Sequence, residues 1–308
     1  MQRRTVHSDR PPRCLVIVPV YNERDSIGRL VRHLHRALPD YDVVVIDDGS
    51  TDDTAAQVPP GTAVVSLPFN LGIGGAMQTG YRYAALHGYD VAIQCDGDGQ
   101  HRPSEVIRLV KKLAKDEADL VVGSRFLGMT TYRQTLVRKI GSRALRGLIW
   151  SLTGLDITDC TSGFRAGNRK VIHAFAHWYP EDYPEPEVIV LLHKAGYRIA
   201  ELPVRMRQRK SGQSSISLLA GIFYIIKVTT CLLLDMVREP WPAAKIDSAA
   251  SGEPIASAAP QAPDLAATVD PRAVSAFRAR KGRADEAPAI DSPGDWSEPA
   301  AAGRAATQ

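Results

Sequence analysis

The sequence predicts an α/β protein built on a mostly parallel sheet flanked by helices. Two observations predict it. Five short apolar runs, rich in valine and isoleucine, recur between residues 14 and 122. Such runs suit strands covered on both faces. Segments with helical spacing or capped turns separate them, and strands alternating with helices of this length make βαβ units.

The first run, residues 14–19 (CLVIVP), predicts a buried strand. Residues 25–38 carry Ile27, Leu30, Val31, Leu34 and Leu38 at helical spacing. Residues 42–46 (DVVVI) predict the second strand, and Ser50 is placed to cap a short helix over 51–57. A third strand is expected over 63–67, a helix over 75–86 and a fourth strand over 91–95. A helix follows over 103–115, with Pro103 in its first turn, where the missing N–H costs nothing. Residues 120–122 predict a fifth strand. Beyond Gly123 the pattern loosens into expected helices over 134–152, 168–175 and 186–194 and a strand over 198–204.

Residues 216–236 (ISLLAGIFYIIKVTTCLLLDM) are apolar almost all round. The length suffices to span a bilayer. Lys227 lies mid-segment, at a cost of about 2.5–3.5 kcal/mol in a spanning helix. A helix on the membrane surface, with Arg238 and Trp241 as interface anchors, is the favoured expectation. A packing or oligomer-interface helix and a single span are the alternatives.

Residues 1–12 are polar and basic, and a signal peptide's apolar run does not follow them, so the chain is expected to stay in the cytoplasm. Residues 240–308 are rich in Ala, Pro, Ser and Asp and poor in large apolar residues. They cannot bury enough surface to offset their ordering entropy, which predicts disorder. The expected organisation is therefore a disordered 1–12, a domain over 13–215, an apolar helix over 216–239 and a disordered tail over 240–308.

Four cysteines lie far apart with no CxxC pair, which argues against a disulfide framework or a zinc site. The formal net charge of +4 is too small to imply nucleic acid. Basic residues cluster at Arg133, Arg138, Lys139, Arg143 and Arg146, and again at Arg205, Arg207, Arg209 and Lys210. Solvated helix face and phosphate or anionic lipid contact both fit these clusters.

Acidic motifs fall after two expected strands, at the sheet edge where ligands bind in such folds. Asp96-Gly97-Asp98-Gly99-Gln100 follows the fourth. Two carboxylates one residue apart suit a hard cation such as magnesium or manganese, and Gln100 can add an oxygen. An EF-hand is excluded, because its sixth and twelfth positions would be His101 and Ile107. A plain Asp-Gly turn is the bland alternative. Asp47-Asp48-Gly49-Ser50 follows the second strand, where a carboxylate commonly accepts from a ribose or a base. Pro19-Val20-Tyr21-Asn22-Glu23 ends the first strand. There Tyr21 can lie against a base and Glu23 can accept from it. Gly72-Ile73-Gly74-Gly75 lacks the GxGxxG spacing and is expected to be a tight turn, which also argues against a dehydrogenase.

Taken together, VPVYNE, VVVIDDGSTDDT, LGIGGAMQTGYRYA, QCDGDGQHRP, GSRF, DCTSGFRA and the R-x-x-G-x-S pattern over 209–214 resemble the family 2 glycosyltransferases. More narrowly, they are similar to the dolichol-phosphate mannosyltransferase group and its bacterial polyprenyl-phosphate relatives. The resemblance implies a GT-A type, Rossmann-like nucleotide-binding fold. It implies a UDP- or GDP-sugar donor, a Mg2+ or Mn2+ cofactor, a polyprenyl-phosphate acceptor and a peripheral place on the cytoplasmic membrane face. It assigns metal binding to Asp96, Asp98 and Gln100. Nucleotide contacts fall on Pro19, Tyr21, Glu23, Asp47, Asp48, Gly97 and Arg125, and a donor-phosphate contact on Arg209. Where the mannosyltransferase group reads Gly-x-Ser-Lys, this chain reads Gly212-Gln213-Ser214-Ser215.

The implied reaction is one inverting displacement at the anomeric carbon, with charge building on a diphosphate leaving group. A lipid phosphate acceptor is already anionic. A glycan or small-molecule hydroxyl, the alternative acceptor, would need a carboxylate base. Asp159 is the first candidate to orient or deprotonate the acceptor, ahead of Glu185 and Glu187. His101 reads as a packing or surface residue. A non-catalytic nucleotide-binding protein is the remaining alternative, and Asp96, Asp98 and Gln100 argue against it.

Overall fold

The computed structural model describes residues 11–115, 118–128, 136–181, 183–206 and 218–237. The expected tail over 240–308 lies outside those residues, as do Arg209 and the 212–215 loop.

Seven strands form one sheet: β1 (Cys14–Val20), β2 (Asp42–Asp47), β3 (Ala63–Ser66), β4 (Val91–Gln94), β5 (Leu120–Ser124), β6 (Arg165–Asn168) and β7 (Ile199–Pro203). Their order is β3-β2-β1-β4-β6-β5-β7. All neighbours run parallel except β6, which is antiparallel to both β4 and β5. The sequence does not announce β6. Its four residues, Arg-Ala-Gly-Asn, hold no β-branched residue and no apolar run. Partners on both sides hold it in the sheet instead.

The helices are α1 (Arg24–Ala37), α2 (Gly72–Leu86), α3 (Pro103–Ala114), α4 (Leu136–Thr153), α5 (Arg169–His177), α6 (Pro184–Lys194) and α7 (Leu218–Val237). Strand alternation sorts the core into two layers. Val16, Val18, Val43, Val45 and Ile93 meet α1 through Ile27, Val31 and Leu34, and α3 through Val106 and Leu109. On the opposite face Leu15, Ile17, Val44, Ile46 and Val122 meet Met77 and Tyr81 of α2 and Ile172 and Phe175 of α5. A third cluster joins α4, α6 and α7 through Leu145, Ile149, Ile189, Val190, Val228 and Leu232. Cys14, Cys95 and Cys160 are buried, and burial pushes the Cys14 and Cys160 thiols up to about 12. Inert core cysteines behave this way.

Two local expectations are revised. The glycine run 72–75 opens α2 rather than closing a turn. Gly72 alone takes a left-handed backbone, at φ 78°. A methyl group on Gly74 would lie 2.3 Å from the Pro180 carbonyl oxygen, so this glycine allows close packing. Ser50 caps no helix. The short 3₁₀ helix Ala55–Gln57 begins later, and the Ser50 hydroxyl accepts from the Asn22 N–H at 3.0 Å.

Over its described side chains, residues 226–236, helix α7 buries one face and exposes apolar residues on another. Val228 and Leu232 are buried, while Ile226, Leu233 and Leu234 are exposed. Lys227 sits 5.2 Å from the centre of the Tyr183 ring, a favourable cation–π distance. Among the described residues no helix is long and apolar enough to cross a membrane.

Strand order places the crevice. From β1 the chain goes outward to β2 and β3, then returns to β4 on the other side. Ligands of open α/β sheets bind at the carboxyl ends of strands flanking such a switch. Here β1 and β4 stop pairing at Ile17 and Gln94, while β1 stays paired with β2 to Val20. The two strands therefore splay at the edge where the acidic motifs emerge. Pro19 lies in that splayed part, beyond the last pairing with β4, where its missing N–H breaks no bond to that strand.

Candidate active site

The β1–α1 loop is latched to the β2 edge. Asn22 holds a left-handed backbone at φ 54°, which Asn tolerates better than most residues. Its side-chain oxygen accepts from the Thr51 N–H at 2.9 Å. The Thr54 hydroxyl accepts from the Glu23 N–H at 2.9 Å. Ser26 donates to the Glu23 carboxylate and reaches the Gly97 carbonyl at 3.3 Å, tying this loop to the acidic loop after β4. Tyr21 is 46% exposed at the rim, where a ring can lie against a base.

Asp47 and Asp48 are both buried, and each has an oxygen engaged by the protein. Asp47 Oδ1 accepts from the Ser50 N–H at 3.1 Å. Asp48 Oδ1 accepts from the Leu71 N–H at 2.7 Å. Burial raises the Asp48 carboxyl above its ordinary range, against the lowering pull of backbone donors at Leu71 and Gly72. The expectation that Asp48 serves the nucleotide is therefore revised for that oxygen, which anchors the start of α2.

The loop after β4 carries Asp96 and Asp98, both part-exposed. Gln100 donates to Asp98 twice, from its backbone N–H at 3.0 Å to Oδ1 and from Nε2 at 2.6 Å to Oδ2. Its amide nitrogen thus faces the carboxylate. In this arrangement Gln100 braces Asp98, and its amide would have to turn for its oxygen to serve as the expected third ligand. Among the described residues no group of three His, Cys, Asp or Glu side chains could hold a metal. A two-carboxylate set still fits magnesium or manganese, which keep waters and share substrate phosphates instead of filling an all-protein cage.

A second assembly stands beside this loop. Asp159, with a side chain 0% exposed, receives three donors from Arg125. The Arg125 N–H and Nε reach Oδ2 at 2.9 and 2.7 Å, and Nη2 reaches Oδ1 at 2.8 Å. Arg125 Nη2 also donates to the Thr161 hydroxyl at 3.0 Å. From β7, Glu201 accepts from the N–H groups of Thr158 and Asp159 at 2.9 and 2.7 Å. In this structure both Asp159 oxygens accept from Arg125, whose guanidinium spans Asp159 and Thr161. An acceptor-base role for Asp159 and a phosphate contact from Arg125 would each require this clasp to open.

Behind the acidic loop, Arg165 is fully buried and pairs in register with Gln94. Its guanidinium donates to the carbonyls of Ser162 and Glu185, which pins the 159–164 turn to the start of α6. Burial raises the Glu185 carboxyl, an effect that Arg165 opposes and Asp96 reinforces. Glu187 is buried on α6.

Two residues here are ones that sequence reasoning misses. His101 is 3% exposed and bonded to Asp96. Nothing marks it beyond its place behind the acidic motif. Gly163 is the other. A methyl group there would lie 2.9 Å from Gln94 Nε2 and 3.1 and 3.3 Å from the two Asp96 oxygens. Gly163→Ala is expected to push the Asp96 carboxylate aside and lower kcat/KM by about 10- to 100-fold, as small misplacements at a reacting centre do. The melting temperature should fall by no more than about 4 °C, on the order of 1 kcal/mol. Steady-state kinetics and a thermal melt on the same preparation check both.

Residues 15–175 match the family model described as glycosyl transferase family 2. Undecaprenyl-phosphate mannosyltransferase of Micrococcus luteus is 34% identical over 215 residues, covering 67% of this chain and 88% of that one. Polyprenol monophosphomannose synthase of Mycolicibacterium smegmatis is 32% identical, covering 67% and 81%. Among solved structures, glucosyl-3-phosphoglycerate synthase from Mycobacterium tuberculosis, in complex with Mg2+ and uridine-diphosphate, aligns with a TM-score of 0.55. That alignment covers 73% of this chain and 79% of that one at 22% identity, a likeness of fold.

Proposed function

The chain belongs to the family 2 glycosyltransferases, and from that premise we propose that it transfers a sugar from a nucleotide-sugar donor to a polyprenyl-phosphate acceptor. The donor is a UDP- or GDP-sugar. The observation that carries the reading is the loop of Asp96 and Asp98, tied through the Gly97 carbonyl and Ser26 to Glu23 where β1 and β4 part, in a chain similar to polyprenyl-phosphate sugar transferases.

Asp96 and Asp98 would hold Mg2+ or Mn2+, with Gln100 bracing Asp98. When bound, such a cation neutralises charge on a departing diphosphate. The protein's own residues do the positioning. Tyr21 offers a face to the base, and Glu23 and Asp47 offer acceptors to base and ribose. The Arg125–Asp159 clasp fixes the 159–164 turn beside Asp96. An acceptor phosphate is anionic at neutral pH and needs no general base, which agrees with a site whose Asp159 is closed off. A hydroxyl acceptor would need a base, and Glu185, whose carboxyl burial raises, is the candidate for that alternative.

Peripheral attachment to the cytoplasmic membrane face completes the reading. Exposed Ile226, Leu233 and Leu234 on α7 support it, as do exposed Ile140 and Trp150 on α4. A domain over 13–215, the apolar segment over 216–239 and a tail over 240–308 are the proposed divisions.

The test offers radiolabelled UDP- and GDP-sugars with Mg2+ or Mn2+ to the full chain, with polyprenyl phosphate or a glycan as acceptor. Label is expected in the organic phase as a sugar-phosphate lipid. Label only on the glycan would install the hydroxyl reading, and no transfer from any donor would leave a nucleotide-binding protein. A nucleoside diphosphate with Mn2+ should raise the melting temperature more than either alone, since a ligand at 100 times its Kd stabilises by about 2.7 kcal/mol.

A further inference from the structure

The geometry points to His101 as the positioning residue that sets Asp96 for a divalent cation, an inference that rests on the metal reading above. Asp96 is held at its main chain by this ring. The Asp96 N–H donates to His101 Nδ1 at 3.0 Å, across five residues of the same loop. A nitrogen that accepts carries no proton, so in the neutral ring the proton is on Nε2. That nitrogen lies 3.7 Å from Asp96 Oδ2. One imidazole therefore bonds the backbone of Asp96 and stands near its carboxylate, 3.7 Å away and short of a direct hydrogen bond.

The ring cannot easily swing away. It stacks on Phe164, with centroids 4.4 Å apart and planes 20° from parallel. Phe164 is itself 1% exposed, in the turn before β6. The backbone of His101 bridges to Met206, just beyond β7. Three segments of the fold thus converge on this residue, two of them on its ring. A histidine that only filled space would not need its Nδ1 aimed at the amide of a candidate ligand. Groups that orient metal-binding residues in this way typically matter 10- to 100-fold in affinity.

Two substitutions separate orientation from packing. His101→Phe keeps a flat ring on Phe164 and removes the acceptor. His101→Asn removes the ring and keeps an acceptor close to where Nδ1 stands. Mn2+ binding is measured on the full chain by electron paramagnetic resonance, with and without UDP, beside melting temperatures. The Phe variant is expected to bind Mn2+ about 10- to 100-fold more weakly. The Asn variant is expected to stay within about threefold of wild type. Equal weakening in both, or a Phe variant of wild-type affinity, overturns the inference and leaves His101 a packing residue. If the Phe variant does not fold, the Asn variant decides: affinity near wild type supports orientation, and a loss as large as that of Asp96→Ala overturns it. If wild type binds no Mn2+ with or without UDP, the metal reading itself fails and takes this role with it, a result distinct from failure in the variants alone.

Discussion

Asp98→Ala is expected to lower kcat/KM for sugar transfer by about 10³-fold or more, which is ~4 kcal/mol of transition-state stabilisation. The size follows from the donor set. Only two carboxylates stand on the loop after β4, so no third acidic ligand among the described residues takes over. The effect should fall on catalysis and not on folding. Asp98 is part-exposed, and the hydrogen bonds that reach it come from Gln100, two residues on. Once Asp98 is gone, water can satisfy the part-exposed Gln100 amide. A melting temperature within a few degrees of wild type should therefore accompany the lost rate. Gln100→Ala keeps both carboxylates and loses only the brace, so a milder loss of about 10-fold is expected, with a raised half-saturation for Mn2+. Initial rates across a Mn2+ titration check both variants. An Asp98→Ala enzyme that turns over like wild type at every Mn2+ concentration would remove the cation from the account.

The first half of the chain is legible because each element there is specified locally. A short β-branched run such as Val43–Val44–Val45–Ile46, bounded by turn residues, suits a strand covered on both sides, and the 27, 30, 31, 34 spacing suits one helix face. The acidic motifs read correctly as edge features because strand ends decide where ligands bind. What stays hidden depends on pairing between distant segments. Strand β6 exists because β4 and β5 accept Arg-Ala-Gly-Asn between them, and no residue in that run prefers a strand. The same applies to roles. An aspartate before Thr-Ser-Gly-Phe-Arg reads as a catalytic carboxylate until Arg125, 34 residues earlier, is seen lying across it. His101 packs as its sequence reading expects, but its bond to the Asp96 amide depends on how the loop folds back and is not legible in the sequence. Gly163 carries no signal at all, because its importance is the space that Gln94 and Asp96 occupy.

The Asp159–Arg125 clasp yields the second large effect, and its sign separates two roles. Asp159→Ala is expected to destabilise the fold by about 3–5 kcal/mol, because removing one partner of a buried pair strands the other charge. The melting temperature should drop on the order of 10 °C. Turnover should fall with it, since the clasp anchors the turn whose Gly163 lies against Asp96. Asp159→Asn keeps the shape but sets an amide against the guanidinium, so it too should lose stability. A catalytic base would behave otherwise. Its Asn variant would melt like wild type, and the acidic limb of the pH–rate profile would vanish. The expected result is the reverse: lower melting temperatures, with residual activity that follows the wild-type pH profile. Arg125→Ala combined with Asp159→Ala should recover part of the loss, because the double variant leaves no buried charge unpaired. A coupling of at least about 2 kcal/mol between the two positions is expected, at the upper part of the range for residues in contact. Additive losses, or an Asp159→Ala enzyme as stable as wild type yet inactive at every pH, would return Asp159 to the role of base and reopen the hydroxyl acceptor.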